Sequence, residues 1–78
     1  MVAIDEAMLF ETVGATIRKL RKSRKWSQEK LSEYAELGTV QISRIENGRT
    51  RPTVMTLIKL AVALDVRQVD IFPDSLTR

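Results

Sequence analysis

Residues 26–52 have the sequence WSQEKLSEYAELGTVQISRIENGRTRP, and their pattern predicts two short helices joined by one tight turn. Ser27 is a side-chain cap for the first helix, and Gly48 is a residue type that commonly follows a helix end. The apolar residues that recur at helical spacing and should face a core are Leu31 and Ala35 in the first helix, and Ile42 and Ile45 in the second. This arrangement is the outline of a helix-turn-helix.

Helical patterns continue on both sides of this stretch, and strand signals are absent. We predict a single, all-α, compact five-helix domain over residues 1–78, with helices at about 10–24, 27–35, 39–47, 53–64 and 68–72. The start of the first helix has an alternative, because Asp5 could cap an earlier beginning that adds Met8 and Leu9 to the apolar face. The last helix is too short to be stable alone and must pack on the others.

The chain has 78 residues, enough for only one compact domain with a small core. A core of this size leaves little surplus stability, so a homodimer is a reasonable expectation. Thirteen Lys and Arg against ten Asp and Glu give a net charge of +3, and six of the thirteen fall between Arg18 and Lys25. Such clustering favours a polyanionic partner. The alternative is an ordinary solvated helix face.

The residue types responsible for most metal binding and nucleophilic catalysis are missing, since the chain contains no Cys and no His. We therefore expect no metal site, no cofactor, no small-molecule ligand and no enzymatic activity. No apolar run approaches the roughly 20 residues needed to cross a bilayer, and Asp5 and Glu6 stand where a signal peptide has positive charge. The expected location is cytoplasmic, without membrane contact.

The predicted helix at 39–47 has the properties of a helix that enters the major groove of double-stranded DNA. This groove is about 12 Å wide and accepts one helix, which must be anchored by apolar residues on one side and exposed on the other. Arg can bond guanine through two hydrogen bonds, Gln can pair with adenine, and Val and Thr methyl groups can contact a thymine methyl. The residues expected to read bases are Thr39, Val40, Gln41 and Arg44.

A second group of polar and basic residues flanks this helix and is expected to hold DNA phosphates. Free backbone N–H groups at the start of the helix at 27–35 can meet a phosphate, and a basic loop follows Gly48. The expected phosphate-binding residues are Ser27, Gln28, Ser43, Asn47, Arg49, Thr50 and Arg51. Binding through them should weaken steeply with salt. The alternative is a helical protein-interaction module, against which the outward Arg44 argues.

Several separated motifs at matching spacing resemble one known family. They are Ile17-Arg18-Lys19-Leu20-Arg21, Ser27-Gln28-Glu29, Ile42-Ser43-Arg44-Ile45-Glu46-Asn47-Gly48, and Pro52-Thr53 with Leu57. From about Val13 to Phe72 the chain resembles the XRE-type, lambda-repressor-like helix-turn-helix transcriptional regulators. The resemblance implies a five-helix bundle and a homodimer that binds a palindromic operator. This length is most like the controller proteins of restriction-modification systems, and an antitoxin that binds a toxin and represses its own operon is the alternative.

The same resemblance implies one structural ion pair. It also shows two positions at which this chain differs from the residues that family members usually have. In such domains the Arg that ends the first motif pairs with the Glu that follows Ser-x-Ile, here Arg21 with Glu46. A phosphate contact by Arg21 is the competing role, and the two roles are compatible. Family members usually place Gly where this chain has Glu36, and a side-chain cap where it has Gly38. We therefore expect strain at the turn, since a non-Gly residue at positive φ costs about 1 kcal/mol.

Apolar residues near the C-terminus exceed what one small core needs, which makes them candidates for a dimer interface. They are Val66, Val69, Ile71, Phe72 and Leu76. For Ile71 and Phe72 we favour packing within the same chain, so Val69 and Leu76 are the stronger interface candidates. Two copies should place their reading helices about 34–36 Å apart, which is one turn of DNA.

Overall fold

The computed structural model describes residues 3–73, in which four α-helices are followed by one short 3-10 helix. The α-helices are α1 (Glu6–Ser23), α2 (Gln28–Ala35), α3 (Thr39–Glu46) and α4 (Val54–Leu64), and the 3-10 helix covers Gln68–Asp70. No strand occurs between residues 3 and 73, and the all-α prediction is confirmed. The predicted interface residue Leu76 lies outside the described residues.

The fifth predicted helix, at 68–72, is a three-residue 3-10 helix, so the described part of the chain has four α-helices instead of five. Arg67 is extended, with φ -75° and ψ 151°, so only residues 68–72 remain before Pro73, too few for a run of α-helical bonds. Bonds of the 3-10 type join residues three apart, as from Asp70 N–H to the Arg67 carbonyl. The Asp70 carboxylate in turn accepts from the Arg67 backbone N–H at 3.0 Å. A hydrogen bond from the Arg67 side chain lowers the pKa of Asp70 below its ordinary value.

Helix α1 begins at Glu6, earlier than the predicted start near Phe10. Asp5 is the N-cap, and its Oδ1 accepts from the Met8 N–H at 3.1 Å. The earlier alternative start is therefore the right one, because a carboxylate at the cap satisfies an N–H group that the helix leaves free. The added turn leaves Met8 63% exposed, while Leu9 packs against the core.

The core lies between the four α-helices, and Ile71 joins it from the segment after the 3-10 helix. Helix α3 packs against α1 and α2, and α4 packs mainly against α2. Trp26, just before the cap of α2, also packs against this core. The buried apolar residues are Val13, Ile17, Leu31, Ala35, Ile42, Ile45, Leu60, Ala61, Leu64 and Ile71. This packing leaves one side of α3 uncovered.

Helices α1 and α3 touch through their backbones at Gly14. A Cβ atom at this position would lie 2.1 Å from the Ile45 carbonyl oxygen and 2.9 Å from that of Glu46. Both distances are too short for a non-bonded contact, so only glycine lets the last turn of α3 pack directly on α1. The backbone contact therefore fixes the C-terminal end of α3 against α1.

The turn between α2 and α3 contains the left-handed residue that the family resemblance implies. Glu36 ends α2 with φ 55° and ψ 45°, a conformation that favours glycine. The Leu37 N–H donates to the Ser32 carbonyl at 3.1 Å, and the Ser32 hydroxyl donates to the Leu37 carbonyl. Gly38 caps α3 without a side-chain bond, and α3 starts at Thr39, in the register that the sequence predicts.

Gly14→Ala is expected to destabilise the fold by about 3 kcal/mol, the upper end for overpacking, because neither backbone can yield easily. For a chain of this size the melting temperature should fall by roughly 10 °C or more in circular dichroism. Gly38→Ala is the control, since a Cβ there meets nothing within 4 Å. The loss of folding free energy in Gly38→Ala should stay below about 1 kcal/mol. Equal melting temperatures for the two variants would contradict the backbone contact.

Glu36→Gly should stabilise the fold by about 0.5–1 kcal/mol, because glycine adopts positive φ without the roughly 1–2 kcal/mol cost of a side chain. Part of that gain is offset by the greater freedom of glycine in the unfolded chain. Urea unfolding measures the difference. Glu36→Ala keeps the Cβ and should give no gain. If Glu36→Gly proved less stable than Glu36→Ala, the turn would carry no strain.

Candidate nucleic-acid interface

One side of α3 is exposed to solvent while the other side is anchored in the core. Ile42 and Ile45 form the anchor, with exposures of 0% and 2%. The four residues predicted to read bases are all exposed, namely Thr39, Val40, Gln41 and Arg44. The uncovered side therefore presents the long hydrogen-bonding side chains of Gln41 and Arg44 together with the methyl groups of Thr39 and Val40.

An open concavity of about 410 Å³ lies between α3 and the loop that follows it. The loop is held against α3 by its backbone, since the Arg49 N–H donates to the Arg44 carbonyl at 2.9 Å. The Asn47 side-chain amide donates to the Ser43 carbonyl at 2.8 Å. The lining residues are Val40, Ser43, Arg44, Asn47, Arg49 and Thr50. Residues predicted to read bases and residues predicted to hold phosphates thus share one surface.

Arg51 is not among the residues that line this concavity. Its Nη1 lies 3.7 Å from Oε1 of Glu6, at the start of α1. Both side chains are largely exposed, so the pair contributes at most about 1 kcal/mol. A smaller cavity of about 230 Å³ connects Arg51 and its loop with Ala7 and Phe10 of α1. The basic loop therefore contacts α1 as well as α3.

The N-terminus of α2 lies beside the C-terminal end of α3. The Ser27 hydroxyl accepts from the Lys30 N–H at 3.0 Å, which leaves the N–H groups of Gln28 and Glu29 without partners inside the helix. The Gln28 side chain is half-buried, and its Nε2 donates to Oε1 of Glu46 at 3.1 Å. Backbone N–H groups are therefore available at this helix end, while the Gln28 amide is turned towards Glu46.

A buried ion pair joins α1 to α3. Arg21 donates from Nε to Oε2 of Glu46 at 2.7 Å and from Nη2 to Oε1 at 3.0 Å, a two-point contact between planar groups. Its Nη1 donates to the Trp26 carbonyl at 2.7 Å, just before α2. The Glu46 side chain is 1% exposed, so the pair is shielded from water. These contacts occupy Arg21 inside the fold, which argues against the competing role of phosphate ligand.

The basic cluster from Arg18 to Lys25 is not one free patch. Arg21 is buried in the ion pair. Arg24 donates to the Leu64 carbonyl at the end of α4, where a cation also offsets the negative end of the helix dipole. Its guanidinium carbon lies 5.5 Å from the centre of the Trp26 ring. Two of the clustered cations therefore stabilise the fold itself.

The predicted interface residues divide between core and surface. Ile71 is fully buried in the core of its own chain, because the 3-10 helix turns it inward, and it is unavailable to a partner. Val66 and Phe72 are half-buried, whereas Val69 is 48% exposed. Sequence reasoning missed three exposed apolar residues of α4, which are Val54, Met55 and Val62. The signal was present, since the sequence of α4 is apolar on nearly every side.

Three further properties hold for residues 3–73, the part of the chain that the structure describes. None of the helices in this part is long and apolar enough to cross a membrane. No group of three or more Asp, Glu, His or Cys is placed there to hold a metal ion. Every buried side-chain nitrogen or oxygen within these residues has a hydrogen-bond partner. Any side-chain nitrogen or oxygen that still needs a hydrogen-bond partner therefore lies at the surface of this part.

Comparison with known proteins identifies relatives for the central part of the chain. A family model described as helix-turn-helix matches residues 17–68. The HTH-type transcriptional repressor RghR of Bacillus subtilis is 42% identical over 57 residues, which cover 72% of this chain and 42% of RghR. The HTH-type transcriptional regulator SutR of Escherichia coli is 35% identical over 54 residues, which cover 69% of this chain and 30% of SutR. The chain thus spans less than half the length of these two curated relatives.

A solved structure with a similar fold is that of the restriction-modification controller protein C.AhdI from Aeromonas hydrophila. It matches with a TM-score of 0.79 and 28% sequence identity. The match covers 81% of this chain and 96% of C.AhdI. The likeness to C.AhdI therefore extends over nearly all of that protein, in contrast to the partial matches with RghR and SutR.

Glu46→Ala is expected to destabilise the fold by about 3–5 kcal/mol, because it leaves Arg21 charged, buried and unpaired. Urea unfolding followed by Trp26 fluorescence measures the loss. Glu6→Ala is the matched control, since it removes the same group from an exposed pair and should cost no more than about 1 kcal/mol. Losses of similar size in the two variants would contradict a structural role for the buried pair.

Proposed function

Because the chain belongs to the XRE-type helix-turn-helix family, we propose that it is a transcriptional regulator that binds double-stranded DNA through α3. The observation that supports this most is the surface that Val40 and Arg44 share with Arg49 and Thr50. A base-reading helix needs such neighbours, since contacts to phosphates set the register from which side chains reach the base edges. RghR and SutR, which match the central part of the chain, are both described as transcriptional regulators.

In this proposal α3 enters the major groove with its uncovered side towards the bases. Arg44 donates two hydrogen bonds to a guanine, and Gln41 bonds the edge of an adenine. Thr39 and Val40 place methyl groups against thymine methyls. Sequence choice then depends mainly on Gln41 and Arg44, because a good two-point base contact discriminates by about 1–3 kcal/mol.

Two groups of donors next to α3 hold the DNA backbone. The first is the polar part of the concavity, formed by Ser43, Asn47, Arg49 and Thr50. The second is the start of α2, where backbone N–H groups beside the Ser27 cap favour an anion. Arg51 joins the first group by exchanging Glu6 for a phosphate, which its weak exposed pair allows. These contacts release counterions, so the affinity falls with salt.

The protein binds a palindromic operator as a homodimer in this proposal. Val62 is 75% exposed on α4, and Val54, Met55 and Val69 are exposed as well. A second copy that covers some of these exposed apolar residues adds stability, which a chain of 78 residues has little of by itself. A two-fold dimer places its two α3 helices one turn of DNA apart, about 34–36 Å.

The narrower part of the proposal is that the chain is a controller protein of a restriction-modification system. Such a protein regulates its own operon and the endonuclease gene. The support is the likeness to C.AhdI over nearly the whole of that protein. Whether the chain activates or represses depends on where its operator lies relative to the promoter.

Selection from a random duplex library, followed by fluorescence anisotropy on the selected duplex and on a scrambled one, tests DNA reading. Arg44→Ala should weaken binding to the selected duplex by roughly 5- to 150-fold, which is the equivalent of one two-point base contact. Binding to the scrambled duplex should change little. Arg44→Lys keeps the charge but loses the two-point geometry, so it should lose most of the same preference. Unchanged preference in both variants, or no sequence selected by the wild type, would refute the proposal.

Two control variants separate base reading from contacts to phosphates and from general electrostatic attraction to DNA. Arg49→Ala should weaken binding to both duplexes alike and reduce the salt slope by about one. Lys19→Ala removes a charge from the exposed side of α1, opposite the buried Ile17, and should bind as the wild type does. A loss for Lys19→Ala as large as that for Arg49→Ala would indicate general attraction to a polyanion rather than contact through the loop after α3.

A further inference from the structure

We propose that Glu6 is an autoinhibitory residue, whose carboxylate competes with DNA phosphates for Arg51 and thereby lowers the affinity for any duplex. This inference rests on the proposed function, in which Arg51 is one of the residues that hold the DNA backbone. Its basis is the ion pair in which Nη1 of Arg51 lies 3.7 Å from Oε1 of Glu6. The pair joins the basic loop after α3 to the first turn of α1.

The backbone of this loop packs directly on α1, which brings Arg51 within reach of Glu6. Gly48 has φ 68°, and a Cβ atom there would lie 2.8 Å from Cγ and 2.9 Å from Cα of Glu11. Only glycine allows an approach this close. On α1 the distance from Glu11 back to Glu6 is a rise of about 7.5 Å, which two long side chains can span. The ion pair therefore forms beside a contact that backbone atoms fix.

The early start of α1 places the carboxylate of Glu6 at the loop. Asp5 caps the helix by accepting from the Met8 N–H, so Glu6 is the first residue of α1. A carboxylate is favourable in this position, because the N-terminal end of a helix is electropositive. The acid that faces Arg51 therefore belongs to a capped helix, which holds its backbone in place.

The pair keeps the Arg51 side chain on the α1 side of the loop. The concavity between α3 and the loop is lined by the proposed phosphate ligands Arg49 and Thr50, but not by Arg51. The cavity that Arg51 does line lies between the loop and the first two turns of α1. To join the other phosphate ligands, Arg51 therefore has to leave Glu6.

This exchange is possible, but it weakens DNA binding. Arg51 is 72% and Glu6 60% exposed, and such a pair is worth at most about fivefold in an equilibrium constant. A phosphate accepts charge-assisted hydrogen bonds from arginine and can replace the carboxylate. The Glu6 carboxylate then remains near a negative phosphate and repels it. Contacts to phosphates carry no sequence information, so the affinity for every duplex falls alike.

Glu6→Gln tests the competition, because glutamine keeps the shape of the side chain and removes its charge. Fluorescence anisotropy should show binding that is tighter by about two- to fivefold on the selected duplex and on the scrambled one. Glu11→Gln is the matched control, since this exposed acid of α1 contacts the same loop but forms no ion pair within residues 3–73. Its gain should stay below about 1.5-fold, because salt screens charges without a direct contact. No gain from Glu6→Gln, or an equal gain from Glu11→Gln, would overturn the inference.

An Arg51→Ala background separates the ion pair from general repulsion of DNA. Without the guanidinium there is no pair to break, so Glu6→Gln should gain no more than Glu11→Gln does in that background. A gain as large as the one measured with Arg51 present would overturn the inference.

Two readouts keep this test separate from the test of base reading. The gain is expected on the scrambled duplex as well, so it decides the role of Glu6 even if the wild type selects no sequence, a result that would refute base reading by α3. Without DNA, the NMR signal of the Arg51 Nε–H group should move more in Glu6→Gln than in Glu11→Gln. Equal movement in the two variants would show that Glu6 does not hold Arg51 and would overturn the inference.

Discussion

A buried carboxylate at the end of α3 is the constraint on which the rest of the structure depends. The Glu46 side chain pairs with Arg21 in a site closed to water, and a carboxylate in such a place requires partners from the surrounding elements. Arg21 reaches it from α1 and Gln28 from α2, so the three helices must meet at one point. Gly14 makes this possible, because the absence of a Cβ lets α1 approach the backbone of α3. The uncovered side of α3 is a consequence of this anchoring on the opposite side.

Signals that lie within one helix or one turn allowed correct predictions from the sequence. The bounds of α2 and α3 follow from the Ser27 cap, the apolar spacing and Gly48, and α3 has the expected register. The left-handed conformation at Glu36 was expected from the resemblance, because family members usually have glycine at this position of the turn. Of the candidate site, the exposed set on α3 could be predicted because Ile42 and Ile45 determine which side is buried. These are local properties, which the chain expresses before any long-range contact forms.

Contacts between distant residues were harder to predict, because local sequence patterns do not reveal them. The sequence showed Asp5 as a possible cap but not that the added turn would reach Arg51 through Glu6. Gln28 was assigned to phosphate from its position at a helix start, and this assignment stays a prediction. Its hydrogen bond to Glu46 was not predicted, because no local pattern reveals it. Packing of Ile71 in the core of its own chain was the favoured expectation, whereas the 3-10 helix that carries it there was not predicted. The exposed apolar residues of α4 were not predicted as a surface feature. The apolar residues that face the core are by themselves enough to explain the helical pattern of α4.

The order of the helices along the chain has a kinetic consequence. Most residue contacts in the described part of the chain join residues close together in sequence, and the helices are linked by short connections. Chains dominated by such local contacts fold in microseconds to milliseconds, and this chain has no Cys whose pairing must be awaited. The amount of folded protein therefore follows its synthesis without a lag. For a transcriptional regulator, the time at which folded protein becomes available is then determined by expression and not by maturation.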